Sequence, residues 1–370
     1  MIIRITWVGV TVVTIVTGCI QCLGKPSLEL YQKNFWSVRG GEKEAINTNG
    51  SPRTYHISVG KEQGFRSYME DAHYISNNGD FAAVFDGHGG SAVSAYISTN
   101  LYSNVQAFLP LAAPGKHDER QEISIQQHDK INLENKPIFD DGVEIISPSS
   151  RRQKYPSVDD YSNALRLALE KVDHEILKIS HWSFVGSTAV VIWLHEDCDG
   201  NITILAANIG DSRAVLSRGK SAVQLTRDHK PDDPKEKSRI ERLGGSVIWC
   251  GDTDLYGKPV KERGIFRVNG NLALSRAVGD KSERPYVTAE PEIIALPIDN
   301  HRDDQFIILA TDGLWDVMTS DDAVNYVHAL LEKGVSKGEV AIHIAKEALR
   351  RDTYDNVTVV VIWMDETKVK

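Results

Sequence analysis

The run Asp86-Gly87-His88-Gly89-Gly90 places a carboxylate, an imidazole and three glycines in five consecutive positions. The apolar run Phe81–Phe85 before it reads as a buried strand, and Ser91 to Ile97 after it reads as a helix. Glycines at such a junction let the backbone approach a bound group and adopt positive φ. The start of a helix favours anions. An acid beside glycines can hold a hard cation through its side chain and a main-chain carbonyl. A tight turn capped by Asp is the plain alternative, and acids elsewhere in the chain favour a metal or phosphate site over it.

Asp312 directly follows the apolar run Phe306–Ala310 and Thr311, and Asp355 lies just before Val357–Trp363. Sheet termini can gather such distant residues. Carboxylates gathered in a low-dielectric place repel one another and must take up protons unless cations join them. All-oxygen ligands suit Mg²⁺ or Mn²⁺, and a two-metal site acidifies a water into a nucleophile. Arg66 has the planar fork that matches phosphate oxygens. His88 could protonate a leaving oxygen. Turn chemistry at strand ends and a surface arginine are the competing readings.

The elements that must position these groups follow from periodicity. Tyr55–Val59 alternates like a strand, and residues 92–109 carry Ala92, Tyr96, Val105 and Phe108 at helix-like spacing. Leu165, Leu169, Val172, Ile176 and Ile179 give the apolar face of a second helix. Thr188–Leu194 and Ile202–Ala207 are nearly continuous apolar strands joined by a hairpin-like turn at 195–201. A charged helix follows Pro231 and stops at Gly244-Gly245, and residues 246–285 are mixed enough to form a flap. Two helices, near 320–333 and 337–351, precede the last strand, the second with a capping box of Ser336 and Glu339. Residues 25–54 read as a linker and 111–160 as a polar, proline-interrupted, mobile insertion.

The chain has 370 residues, 41% hydrophobic and 25% charged, as a globular protein does. Its net charge of −9 argues against nucleic-acid binding and leaves carboxylates for cations. Four cysteines, two of them in the apolar N-terminal stretch, make neither a disulfide framework nor a zinc site. Ile5 to Leu23 carries no charge and is about long enough to cross a bilayer, although its threonines and glycines weaken that reading. A membrane anchor, with residues 5–23 attached and the body cytoplasmic by the distribution of Arg4, Lys25, Lys33, Arg39 and Lys43, is favoured. A cleaved secretory signal is the alternative, with a buried strand behind it. The sequon Asn356-Val357-Thr358 beside Asp355 is a weak argument against a lumenal body.

Several ordered runs together resemble the PPM family, the metal-dependent type 2C serine/threonine protein phosphatases. They are Arg66 with Met69-Glu70-Asp71-Ala72, Phe85–Gly90, Gly186–Ala189, Ala207–Arg213, Asp228–Pro231, Leu274–Asp280, Glu290-Pro291-Glu292, Ala310–Asp316 and Asp355-Asn356, spread over residues 55–364. The resemblance implies an α+β fold of four layers, α/β/β/α, with two packed antiparallel sheets flanked by helices, in a domain spanning 55–366. It implies that Asp86 bridges two metals, that the Gly87 carbonyl binds the first and that Asp312 and Asp355 bind the second. Glu70 and Asp71 would hold metal-bound waters, Arg66 the phosphate, and His88 would be the general acid. Asp211 and Asp316 match positions of a weaker third metal, where turn or cap roles compete evenly. Thr188 would support the site. The expected activity is hydrolysis of phosphoserine and phosphothreonine in phosphoprotein substrates by a hydroxide bridging two Mn²⁺ or Mg²⁺ ions, in a monomer. A phosphoprotein-binding scaffold and a hydrolase of other phosphate esters are the competing functions.

Overall fold

A computed structural model describes residues 4–7, 10–13, 53–110, 156–254, 256–298 and 303–364. The chain divides into Met1–Ser51 and Pro52–Lys370. In the first unit, β1 (Arg4–Trp7) and β2 (Val10–Val13) pair antiparallel, so these residues of the apolar stretch form a hairpin rather than a helix. The remainder of that stretch, the linker to residue 52 and most of the insertion lie outside the described residues. Among the described residues no helix is long and apolar enough to cross a membrane.

The second unit begins with β3 (His56–Glu62), β4 (Ala72–Ile75), β5 (Phe81–Phe85), the short β6 (Gly87–His88) and helix α1 (Ala92–Phe108). Helix α2 (Val158–Leu177) leads to β7 (Gly186–Ser187), β8 (Ala189–Glu196), β9 (Ile202–Ile209), β10 (Arg213–Arg218) and β11 (Ser221–Gln224). Helix α3 (Pro234–Arg242), β12 (Val247–Thr253), β13 (Pro259–Val268), β14 (Val278–Gly279), β15 (Glu292–Pro297) and β16 (Asp304–Ala310) come next. The chain closes with α4 (Asp312–Trp315), α5 (Ser320–Glu332), α6 (Val340–Arg350) and β17 (Val357–Trp363).

Two five-stranded antiparallel sheets carry the unit, in the orders β11-β10-β16-β17-β3 and β15-β9-β8-β5-β4. Alternation along each strand decides what it meets. Ala82 and Val84 of β5 face the layer between the sheets, where they join Val190, Ile192, Leu309, Val360 and Ile362. Phe81, Ala83 and Phe85 face the other way, onto α1 and α2 through Ile97, Leu101, Leu165 and Leu169. Ile308, Val359 and Val361 of the second sheet meet Val324, Val327, Ile344 and Ala345 of α5 and α6. Burial on both faces explains why these strands read as unbroken apolar runs. The result is the expected four-layer α/β/β/α arrangement, each fully buried Val, Ile or Leu contributing roughly 1.5–3 kcal/mol.

Four local expectations are corrected. The buried face of α1 is Val93, Ile97, Leu101 and Val105, a strict i, i+4 series, whereas Phe108 is exposed and Tyr96 half-buried. Helix α2 starts at Val158 behind a capping box of Ser157 and Asp160, so the end of the range assigned to the insertion belongs to a helix. Ser336 donates to the Glu339 carboxylate across one 3₁₀ turn, and α6 itself starts at Val340. Gly87 and His88 are strand rather than turn, paired with Ser187 and Gly186; the positive φ falls on Gly89 and Gly90.

The flap is the β12–β13 hairpin, and its base rests on a small cluster of Ile240, Val268, Leu274, Ala277 and Val287. Beneath it the buried Glu236 of α3 accepts from Arg276 at 2.6 Å and Arg239 at 3.0 Å. Arg239 also donates to the Ser275 and Tyr286 carbonyls, and Arg276 to that of Glu290, which fixes the 275–290 segment. Burial would raise the Glu236 carboxyl, but the bonds and charge of Arg276, then of Arg239, outweigh it and push it from 4.5 down to about 2. A depressed acid gives stability that is present above its unfolded value and lost as pH falls through the folded one. Glu236→Gln is therefore expected to lower stability by on the order of 3 kcal/mol above pH 5, and the gap should close toward pH 2. Urea unfolding midpoints across that range measure it; a gap independent of pH would refute it.

Candidate active site

The acids stand at strand ends of both sheets. Asp86 leaves the end of β5, its N–H donating to Thr188 Oγ1 at 3.0 Å and its carbonyl accepting from the Thr188 N–H at 2.9 Å. Thr188 in turn pairs with Ser212 at 2.7 Å, next to the buried Asp211. Asp312 opens α4 one residue beyond Thr311, just past β16, and Asp355 precedes β17 in the neighbouring position of the same sheet. Closing the two sheets face to face brings these ends together.

Charge shows how close they come. The Asp86 carboxyl is raised well above its ordinary range, first by burial, then by Asp312, Asp71 and Asp211. Asp312 is raised in the same way, by burial, Asp211 and Asp316, with Lys230 opposing and Asp355 adding. Asp71 is pushed up to about 6, chiefly by burial and further by Asp355, while the Thr311 hydroxyl donates to its Oδ2 at 3.1 Å. Lys230 pairs with Asp211, and that charge overrides burial to raise the ammonium. The structure thus brings Asp71, Asp86, Asp211, Asp312, Asp316 and Asp355 into one mutually repelling group.

Among the described residues, no three carboxylate, histidine or cysteine side chains form a finished cation cage. The donor set nevertheless suits hard cations. Asp71 Oδ1 and Asp312 Oδ1 are buried without a hydrogen-bond partner. Like-charged carboxylates at this depth must hold protons or cations, and oxygen donors select Mg²⁺ or Mn²⁺. Gly87 leaves no room for a side chain, since a Cβ there would stand 2.5 Å from the Glu70 carbonyl and 2.7 Å from Ser94 Oγ.

The loop carrying Arg66 and Glu70 is held by Asn356. The Asn356 amide donates to the carbonyls of Gln63 at 2.7 Å and Tyr68 at 3.0 Å, and its oxygen accepts from the Glu70 N–H at 2.8 Å. Both amide hydrogens of the sequon asparagine are thereby engaged in a buried residue. Gly64 (φ 63°) lets the loop close against Asp355, whose carbonyl would sit 2.4 Å from a Cβ at that position. Arg66 then reaches Asp355 Oδ2 at 2.6 Å.

His88 Nε2 meets Asp280 Oδ2 at 2.7 Å. Burial would lower the imidazole, but the hydrogen bond and charge of Asp280 outweigh it, and the net shift is upward. Asp280, itself in a left-handed conformation (φ 45°), belongs to the segment tied down by Glu236. The sequence motifs included Asp280, Asn356 and Lys230 without giving them roles. Their partners stand 192, 286 and 19 residues away, so no local signal pointed to these pairings.

Comparison with known proteins agrees with this architecture. A family model described as "Protein phosphatase 2C" matches residues 141–357, over half the chain. The chain is 31% identical to "Probable protein phosphatase 2C 59" of Oryza sativa subsp. japonica over 358 residues, 93% of this chain and 88% of that one. It is 31% identical to "Protein phosphatase 1B" of Homo sapiens over 335 residues, 86% of this chain and 59% of that one. Among solved structures, a C. elegans sex-determining protein superposes with a TM-score of 0.62 at 27% identity, covering 86% of this chain and 66% of that one. A phosphatase from Toxoplasma gondii shares the fold at a TM-score of 0.60 and 21% identity, covering 85% and 95%. A repelling set of acids gathered across two sheets, with an arginine and a histidine beside it, accompanies matches along most of the sequence: the chain belongs to the protein phosphatase 2C family.

Proposed function

We propose that this protein hydrolyses phosphoserine and phosphothreonine esters in phosphoproteins, with two Mn²⁺ or Mg²⁺ ions held by Asp86, the Gly87 carbonyl, Asp312 and Asp355. The carrying observation is the pair of buried carboxyls Asp86 and Asp312, each raised by burial and by neighbouring acids. In this reading Glu70 and Asp71 orient waters around the ions, and Asp211 and Asp316 hold a weaker third. When bound, such ions supply a water acidified enough to attack at neutral pH.

The chain's own groups do the rest. Arg66 presents two parallel donors to non-bridging phosphate oxygens, exchanging its bond to Asp355 for them. This orients the ester for in-line displacement. His88, kept protonated by Asp280, holds Nε2–H on that carboxylate, which leaves Nδ1–H to protonate the departing seryl or threonyl oxygen. Attack by water on phosphorus needs no enzyme nucleophile, so no phosphoenzyme is expected.

Phosphate release from a phosphopeptide should cease in chelator and return with Mn²⁺; full activity in chelator would sink the proposal. Asp312→Asn should lower kcat/KM by on the order of a hundredfold or more and weaken Mn²⁺ binding in calorimetry. The same variant removes one of the repelling charges, so its melting temperature in chelator should not fall below that of the wild type. Asn356→Ala unpairs three backbone groups and should destabilise the protein by about 2–4 kcal/mol while raising KM, as Arg66 loses its fixed loop. Thermal melts and steady-state kinetics report both, and an unchanged KM would separate Arg66 from that clamp.

A further inference from the structure

Resting on the reading that Arg66 receives the substrate phosphate, we propose that Phe65 and Tyr354 form a docking step for a large apolar side chain flanking the phosphorylated residue of the substrate. Phe65 and Tyr354 are each 73% exposed, and their rings lie 5.6 Å apart at an interplanar angle of 39°. They abut the two partners of one ion pair: Phe65 precedes Arg66, and Tyr354 precedes Asp355. Tyr68, 77% exposed, follows on the same loop.

Single exposed aromatics are ordinary on a protein surface, but a tilted pair in contact beside the arginine read as the phosphate binder is placed for use. Its backbone is already fixed by Asn356 and by the close approach of Gly64 to Asp355, so little ordering entropy remains to oppose docking. The occupant follows from reach. A peptide whose phosphate lies on Arg66 extends at most about 3.5 Å per residue, so the one or two residues on either side lie within about 7 Å of the phosphorylated residue along the backbone. Phe65 and Tyr354 are the chain neighbours of Arg66 and Asp355, and their rings offer an apolar surface to an aromatic or long aliphatic side chain beside the phosphorylated residue.

The test uses the full chain with Mn²⁺ and a phosphopeptide bearing alanine at positions −2, −1, +1 and +2, each replaced in turn by Leu or Trp. For the wild type, one position should raise kcat/KM by about three- to tenfold over the all-alanine peptide. That ratio should fall to about one in Phe65→Ala and Tyr354→Ala, survive in Tyr354→Phe, and survive in Tyr256→Ala, which removes a still more exposed ring from the flap. A wild type that treats all peptides alike, or a ratio that persists in both alanine variants, overturns the docking step and leaves the phosphatase reading standing. A persistent ratio with altered sedimentation in those variants would assign the rings to contact between copies, which also overturns it. No turnover of any peptide by the wild type would bring down the phosphatase reading and the docking step with it.

Discussion

Repulsion among buried carboxylates is the constraint that the rest of this structure serves. Asp71, Asp86 and Asp312 are withdrawn from water, and each is made harder to ionise by burial and by a neighbouring acid: Asp86 by Asp312, Asp71 and Asp211, Asp312 by Asp211 and Asp316, and Asp71 by Asp355. Nothing local favours such a group. It exists because strand ends are carried to one place by sheets packed through a predominantly apolar layer. Asp86 comes from one sheet, and Asp312 and Asp355 from the other. The acids therefore meet only once Ala82, Val84 and Val190 have packed against Leu309, Val360 and Ile362. The energy of that apolar layer is what holds the charges together.

The protein relieves the strain in two ways. Lys230 on Asp211 and Arg66 on Asp355 neutralise the periphery, and the Thr311 hydroxyl donates to Asp71. Buried oxygens with no partner remain at Asp71 and Asp312. This is the pattern of a site built for cations, since hydroxyls and ammonium groups placed on those oxygens would have removed the need for them. The division also sorts roles. Sheet ends, the rigid part, hold the acids. Loops braced by buried side chains hold the groups that would touch substrate. One loop is held by Asn356 and carries Arg66; the other is held by Glu236 and carries Asp280, which meets His88.

The amino-acid sequence alone determined the strand runs, the main helices and the acids at their ends, because alternation and apolar runs are local signals of burial. Phe81–Phe85 and Val357–Trp363 were legible for that reason, and so was Asp86 behind the first of them. The order of the motifs named the family and the four-layer arrangement, neither of which periodicity could supply. The face of α1 was misread because Ala92, Tyr96 and Phe108 fit a helical period as well as Val93, Ile97 and Leu101 do, and only the facing sheet discriminates between them.

Tertiary structure alone decided the pairings. That Asp280 belongs to His88, Asn356 to the loop 63–70 and Arg66 to Asp355 depends on which segments lie side by side after the sheets close. The same holds for Phe65 beside Tyr354. A carboxylate or an aromatic ring has no intrinsic preference for a partner hundreds of positions away. Its partner is whatever the packed core delivers, and hydrogen bonds and charge then fix the geometry.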